Sequence, residues 1–585
     1  MQKEITALIV ILMIVFLYKG FNPVVTFLIA VTILILTGII TPLEALSGFS
    51  NEQIATLFLI LIISGVISEI GVLDYVFNRF LILRKDNYMG FLVKMMFFVS
   101  GISSFIPNTP LVAILAPYVY NAGKKNGIPP SKLLIPLSYS AILGGTITLI
   151  GTSTNLIVNS LYIENGGSSF KIFDFSYVGI PLTIIGILYM ILFGRKFLPE
   201  HKDAIEKFIE KPREYIVEAI VHENSHLIGK SIENAGLRNL KDLFLVEIIR
   251  GDKKIAPVSP SEVIENGDVL IFAGDTSAIV DFVKSISGLV LRDNHILNNY
   301  KKFEVVEVVV SWNSSLIGRK IRKTDFRARY DSAILAVHRY GEKLSGKIGE
   351  IELKAGDVLL LLTGKDFVKL SAGTNDFFVI SKIKEIKKID TKSPFLVIGG
   401  FFFSIILSSF GIISLFKALL ALTVLIIVLG LTSLSEIKRN IDLNIIFIAS
   451  FGIAIGKGII KSGLAEFIAD RIFSVFYPLG IVGILFGIFL ITVILTELIT
   501  NSACVTIVFP IANYIAISHG FTPTPFILAI AYAASASFIT PFGYQTNLII
   551  YGPGSYKFKD FVRVGFPLTI IYMFCCILFL KIIYF

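Results

Sequence analysis

The sequence predicts a membrane α-helical protein: two inverted repeats, each with a re-entrant hairpin and a broken helix, and cytoplasmic α+β tandem domains inserted between them. Three observations predict it. The 585 residues are 54% hydrophobic and 16% charged, where a soluble chain carries about 25% charge. Stretches without Asp, Glu, Lys or Arg run over 53–68, 133–163, 175–194, 393–416 and 498–556, and about 20 apolar residues cross a bilayer as a helix. Motifs of the first part also return near the end at almost constant spacing.

"SSFIPNTPLVAILAP" (103–117) matches "TELITNSACVTIVFP" (496–510), and "GTSTNLI" (151–157) matches "GYQTNLI" (543–549). Val-Gly-x-Pro-Leu-Thr-Ile-Ile occurs around Pro181 and again around Pro567. Asn108 to Asn501 is 501−108 = 393, Asn155 to Asn547 is 392, and Pro181 to Pro567 is 386. A duplicated unit of the kind found in secondary transporters is the natural reading.

The elements follow in order. Spans are expected at 5–18, 22–40 and 54–70, then an amphipathic stretch at 73–83 too short and too charged to cross. The first segment lacks a small-residue cleavage site and is followed by more spans, so it is expected to stay as a span. Two short apolar segments, 91–106 and 111–120, flank "IPNTP". Proline and asparagine stop one helix and start another there, which predicts a re-entrant hairpin. A span broken at "GTSTN" follows, then one at 177–197. Five net crossings make the second repeat inverted, and the whole chain is expected to have ten crossings and two hairpins.

Residues 1–198 and 394–585 are the two transmembrane repeats, with soluble domains at 199–300 and 301–393. The soluble pair repeats internally: "HENSHLIGKSI" (222–232) matches "SWNSSLIGRKI" (311–321), and "ENGDVLIFAGD" (265–275) matches "KAGDVLLLLTG" (354–364). Alternation in "FEVVEVVVSW" predicts half-buried strands. Basic residues decide the orientation. Fourteen, among them Lys19, Lys124, Lys125, Arg195 and Lys196, fall on the side of the soluble block, against seven on the other side. That places the block in the cytoplasm of a multi-pass cell-membrane protein, with both termini outside. The net charge of +10 is therefore no sign of nucleic-acid binding.

The chemistry should sit at the two hairpin tips, Pro107-Asn108-Thr109 and Thr500-Asn501-Ser502. A broken helix leaves N–H groups free at one end and carbonyls at the other, attracting an anion and a cation respectively. Asn and Thr can instead be interhelical hydrogen-bond glue, but their duplication between broken helices favours a site. Glu497, the only carboxylate between Arg471 and Asp560, matches Ser104 in the first repeat. Bracing of its hairpin is placed slightly ahead of proton coupling. His222 and His226 have metal-like spacing but fall at a strand-to-turn segment, where a surface pair is the better reading. Three Cys, two adjacent, give no disulfide framework. No Gly-x-x-x-x-Gly-Lys-Ser/Thr is present, so ATP coupling has no support and no enzymatic activity is expected.

On the hairpin motif and the later Thr-Asn-Leu-Ile break, the chain resembles the divalent anion:sodium symporter family of the ion transporter superfamily, which includes citrate transporter-like permeases. The resemblance implies one sodium site at Ser103, Asn108 and the backbone around Gly151, and a second at Thr496, Asn501 and the backbone around Gly543. It implies that Asn108, Thr109, Thr500, Asn501 and Ser502 meet a small dianion, with Thr152, Asn155, Thr546 and Asn547 in the breaks beside them. Two departures stand out: Pro107 replaces the usual Ser, and the second tip reads Thr-Asn-Ser. Sulfate is placed slightly ahead of di- and tricarboxylates. The tandem domains resemble the C-terminal half of the regulator-of-potassium-conductance module (TrkA-C type). That likeness implies a homodimer and a small effector at the dimer seam. It also raises a potassium channel or transporter as the alternative, although no fourfold Thr-Val-Gly-Tyr-Gly-like filter is present. A proton-coupled exchanger or an arsenite-type permease of the same superfamily is the third reading.

Overall fold

The computed structural model describes residues 2–19, 21–70, 77, 83, 87–201, most of 216–274, 289–291, most of 305–380, 392–433, 436, 437 and 443–585. Except for Phe77 and Leu83, the amphipathic stretch at 73–83 lies outside these residues, as does the junction near 300.

The first part contains α1 (Gln2–Tyr18), α2 (Pro23–Leu36), α3 (Pro42–Leu46), α4 (Glu52–Glu69), α5 (Tyr88–Ser103), α6 (Asn108–Lys125), α7 (Leu134–Gly145), α8 (Ser153–Glu164) and α9 (Ser176–Phe197). Local chemistry sets the ends. Asn22 accepts from the N–H groups of Val24 and Val25, and Asn51 accepts from those of Gln53 and Ile54. α2 stops before Gly38, whose φ of +70° few other residues adopt, so it is shorter than the span expected at 22–40. α3 was not expected. Thr41 and Glu44 form a capping box with Pro42 in the first turn, and this short helix with its 3-10 extension bends 43° into α4.

The last part contains α10 (Lys392–Ser409), α11 (Leu415–Val428), α12 (Leu443–Lys461), α13 (Leu464–Phe476), α14 (Gly480–Leu498), α15 (Asn501–Ser518), α16 (Pro523–Ser535), α17 (Gln545–Tyr551) and α18 (Phe558–Tyr584). Among the described residues, five helical segments are long and apolar enough to cross a membrane, or six with the bent pair counted as one span. Two close approaches explain the shared Val-Gly-x-Pro motif. A Cβ on Gly179 would meet the Thr146 carbonyl at 2.5 Å, and one on Gly565 would meet the Phe538 carbonyl at 2.0 Å. Each glycine thus lets α9 or α18 lie against the backbone near a helix break. The two parts are stitched together by buried tyrosines: Tyr139 donates to Phe538 O (2.6 Å), Tyr189 to Val564 O (2.8 Å) and Tyr532 to Phe175 O (2.5 Å).

Between them lie two five-stranded antiparallel sheets. The first holds β1 (Ile216–Val221), β2 (Leu243–Arg250), β3 (Lys253–Ile255), β4 (Val269–Gly274) and β5 (Leu289–Leu291) in the order β3-β2-β4-β1-β5. The second holds β6 (Val305–Val310), β7 (Ser332–Arg339), β8 (Glu342–Lys343), β9 (Val358–Thr363) and β10 (Phe377–Val379) in the order β10-β6-β9-β7-β8. Read from the opposite edge, the second order is the first. The register shift in β2 at Leu245/Glu247 recurs in β7 at Ile334/Ala336. Arg250 pairs with buried Asp268 at 2.8 Å, as Arg339 pairs with buried Asp357 at 2.7 Å.

The two sheets share an apolar cluster of Val246 and Ile271 from the first with Leu335, Leu360 and Leu362 from the second. Arg327 bonds across to the carbonyls of Val258 (2.9 Å) and Leu245 (3.1 Å). The second sheet also joins the large core of the helical part, through Val309, Val358 and Ile380. Tyr120 donates to buried Glu307 at 3.1 Å, and Asn121 donates to the Ile380 carbonyl at 3.3 Å. The turn before β9 presses on α17: a Cβ on Gly356 would meet Leu548 at 2.6 Å.

Candidate functional site

The hairpin tips form where two helices end head to tail. α5 ends at Ser103, Pro107 takes an extended conformation (ψ 137°), and α6 begins at Asn108. α14 ends at Leu498, Ile499 and Thr500 are extended, and α15 begins at Asn501. The Thr500 hydroxyl accepts from the Ala503 N–H at 3.4 Å, whereas Pro107 offers no side-chain cap.

Inside each hairpin one hydroxyl lies between two acceptors. Ser103 Oγ is 2.7 Å from Asn108 Oδ1 and 2.9 Å from the Ala141 carbonyl. Thr496 Oγ1 is 2.9 Å from Asn501 Oδ1 and 2.8 Å from the Ala534 carbonyl. A hydroxyl has one proton, so each cluster holds more acceptors than hydrogens. At the first tip, the inward Asn108 oxygen faces only acceptors. Turning that amide over lets its nitrogen donate to Ser103 Oγ (2.7 Å), Ala141 O (3.2 Å) and Gly151 O (3.2 Å), while its oxygen accepts from Tyr544. With the oxygen inward, oxygens converge from Ser103, Asn108, Ala141 and Gly151, which suits a hard cation. With the nitrogen inward, the amide satisfies them itself.

The breaks of α7–α8 and α16–α17 are tied in the same way. Asn155 donates to the carbonyls of Thr148 (2.8 Å) and Gly145 (3.5 Å). Asn547 donates to those of Thr540 (3.2 Å) and Ser537 (2.9 Å). Glycine suits both bends: a Cβ on Gly151 would meet the Gly145 backbone carbonyl at 2.6 Å, and one on Gly543 would crowd the Ser537 hydroxyl at 2.2 Å. Ser138 on α7 donates to Asn547 Oδ1 (2.7 Å) and lies 2.9 Å from Thr546 Oγ1, locking the second break to the first half.

The structure brings the first tip to the second break. Asn108 Nδ2 donates to the Tyr544 hydroxyl at 2.7 Å, Thr152 lies 3.2 Å from that same hydroxyl, and Thr109 donates to Gln545 Oε1 at 3.0 Å. No hydrogen bond among the described residues joins the two tips directly. Tyr544 and Gln545 were not singled out in the sequence, although "GYQTN" differs from "GTSTN" at just these two positions. Glu497 lies at the second hairpin. It accepts from Ile539 N (2.9 Å), Thr540 N (3.1 Å) and the Thr540 hydroxyl (2.6 Å). The carboxylate fastens α14 to the loop after α16, which is the geometry of a brace.

The arrangement can hold cations on oxygen clusters and an anion on the first-turn N–H groups of α6 and α15. A family model described as "Citrate transporter" matches residues 8–419 and 402–585. The chain is 34% identical to a Chlamydomonas reinhardtii protein that carries the name of a sulfur deprivation response regulator, over 93% of this chain and 95% of the relative. It is 30% identical to the Synechocystis "Uncharacterized transporter sll0640", over 99% of this chain and 96% of the relative. "Sodium/sulfate cotransporter 2" of Chlamydomonas reinhardtii is 23% identical over 91% of this chain and 84% of the relative.

Proposed function

The chain belongs to the citrate transporter family and is a multi-pass anion transporter rather than an enzyme; on that premise we propose that it is a sodium-coupled symporter of a small dianion, sulfate ahead of di- and tricarboxylates. The observation that carries the reading is the convergence of oxygens at both tips, Ser103–Asn108–Ala141 and Thr496–Asn501–Ala534, when each asparagine turns its amide oxygen inward. A monovalent cation placed among such oxygens supplies the positive charge that the hydroxyl protons do not. Ser103, Asn108 and the Gly151 carbonyl hold one sodium ion; Thr496, Asn501 and the backbone around Gly543 hold the other. The anion meets Asn108, Thr109, Thr500, Asn501 and Ser502, with Thr152, Asn155, Thr546 and Asn547 holding the breaks in place.

Two bound sodium ions offset the charge of a dianion in a site without Lys or Arg. Coupling follows because the anion is held well only when the cations are present. Sulfate is favoured by the removal of a hydroxyl at Pro107 and by the names of relatives that are sodium/sulfate cotransporters. The soluble pair, TrkA-C-like in its repeat, lies in the cytoplasm and regulates or organises transport in a homodimer, with both termini outside. The test is uptake of labelled sulfate into proteoliposomes holding the purified protein. A sodium gradient should drive accumulation, and replacing sodium by choline at fixed pH should abolish it. Equal uptake in the two buffers would defeat the sodium coupling, and strong competition by citrate or succinate would reverse the order of substrates.

A further inference from the structure

We infer that Tyr544 and Gln545 set the shape of the transported anion, admitting one with a single charge centre, a tetrahedral oxyanion, and excluding an extended dicarboxylate. The inference rests on the reading that a dianion binds between the two tips.

At the first tip both ends of the Asn108 amide are engaged, one by the Ser103 cluster and the other by the Tyr544 hydroxyl at 2.7 Å. The Thr109 hydroxyl is engaged by Gln545 at 3.0 Å. Pro107 brings neither an N–H nor a hydroxyl. Every polar side chain of this tip is therefore already paired, in part through two side chains from the opposite half. The second tip differs. Thr496 holds the Asn501 oxygen and Thr500 caps Ala503. Among the described residues no hydrogen bond takes the Asn501 amide nitrogen or the Ser502 hydroxyl. The free donors, together with the first-turn N–H groups of α15, thus lie at one tip.

The asymmetry arises from two positions. Tyr544 corresponds to Thr152 and Gln545 to Ser153 at the same 392-residue spacing as Asn547 and Asn155. Thr and Ser side chains end at a hydroxyl on Cβ, and Thr152 reaches only as far as the Tyr544 hydroxyl, 3.2 Å away. Tyr and Gln span the gap to the facing tip. A dicarboxylate carries two charges at the ends of a carbon chain and needs donors at both tips. It would have to break the Asn108–Tyr544 and Thr109–Gln545 bonds and find room beside a buried ring. A tetrahedral oxyanion gathers its charge on one centre, so it can take its hydrogen bonds from the free donors of the second tip while resting against the closed first tip. Leaving a buried hydrogen-bonding group without its partner is what makes such sites selective.

The test uses the full-length protein in proteoliposomes with labelled sulfate as the probe and succinate and citrate as competitors. Tyr544→Thr combined with Gln545→Ser copies the first break. It should lower the ratio of the succinate inhibition constant to the sulfate KM by at least about tenfold, the worth of one or two hydrogen bonds. Tyr544→Phe and Gln545→Ala keep most of the packing and should each shift the ratio the same way by a smaller factor; they decide the matter if the double variant does not fold. An unchanged ratio in folded variants overturns the inference, because a purely structural role would alter stability without changing the preference between anions. Equal competition by succinate in the unaltered protein overturns it too, while leaving sodium-coupled dianion transport standing. Failure of the unaltered protein to move sulfate, succinate or citrate, with or without sodium, overturns both.

Discussion

The two membrane halves use the same hydrogen bonds to build their tips and different ones to finish them. In each, a hydroxyl five residues before the tip asparagine bridges to that asparagine and to an alanine carbonyl 38 residues on. In each, a later asparagine ties its own break through carbonyls seven and ten residues earlier. The finishing differs. Thr148 donates to the Ser104 backbone carbonyl, whereas Thr540, its counterpart, donates to the Glu497 side chain, which stands where the first half has Ser104. The first tip is closed by Tyr544 and Gln545, while the second tip is not closed by Thr152 and Ser153. Common bonds set where the tips stand, and the differences decide what each tip does there.

The largest expected effect tests the common part. Asn108→Ala and Asn501→Ala should each reduce sulfate uptake by about 100-fold, since loss of an oriented ligand typically costs up to that factor. Monodisperse, membrane-inserted variants with normal uptake would break the equivalence. The next effect tests the difference. Glu497→Ala strands two backbone donors and a hydroxyl and should destabilise the protein by about 1–3 kcal/mol in unfolding measurements. Ser104→Ala should cost less, about 1 kcal/mol, because it loses only the bond from its hydroxyl to Gly101 O while its own carbonyl keeps the bond from Thr148. Comparable losses in both would show that the carboxylate is no special brace. Asn155→Ala and Asn547→Ala sharpen the symmetry, with losses of about 1–2 kcal/mol and the larger one at Asn547, which also gives up the bond from Ser138. The smallest effect falls at the first soluble domain. Replacing 202–300 by a flexible linker, which keeps the contacts of Pro199 and His201 with Ser131 and Asp560, should leave the sulfate KM unchanged and alter only the maximal rate or its regulation, measured as initial uptake against sulfate concentration.

The helix breaks could be read in advance because prolines, glycines and asparagines punctuate an otherwise apolar sequence twice at one spacing. The strand expected in "FEVVEVVVSW" is present as β6, but it is buried on both faces rather than half-buried, because Val309 and Glu307 meet the helical part while Val306, Val308 and Val310 face the sheet's own core. α3 escaped although Thr41-Pro42-x-Glu44 is a helix-start signature, because five residues in the gap between the expected spans at 22–40 and 54–70 are too few to show an apolar period. Tyr544 escaped for another reason. Matching "GYQTN" to "GTSTN" draws the eye to Thr-Asn, and the reach of a side chain across to a distant tip has no trace in local pattern. Period-two alternation likewise shows which face of a sheet is apolar but not what covers it, so the meeting of the two sheets through Val246, Ile271 and Leu360 was visible only in three dimensions.

The second sheet contributes Val309, Val358 and Ile380 to the same apolar cluster as the transmembrane helices, and its Gly356 turn rests on Leu548 of α17, four residues from Tyr544. These contacts predict that the two compartments of the chain unfold together. A compound that tightens the soluble pair must raise the unfolding temperature of the bilayer-embedded part as well, by the ordinary linkage between ligand and fold. By the same reciprocity an anion or sodium ion gripped at the tips must change how firmly the water-exposed pair is held. Calorimetry on the purified protein would record both directions of that exchange without any measurement of transport.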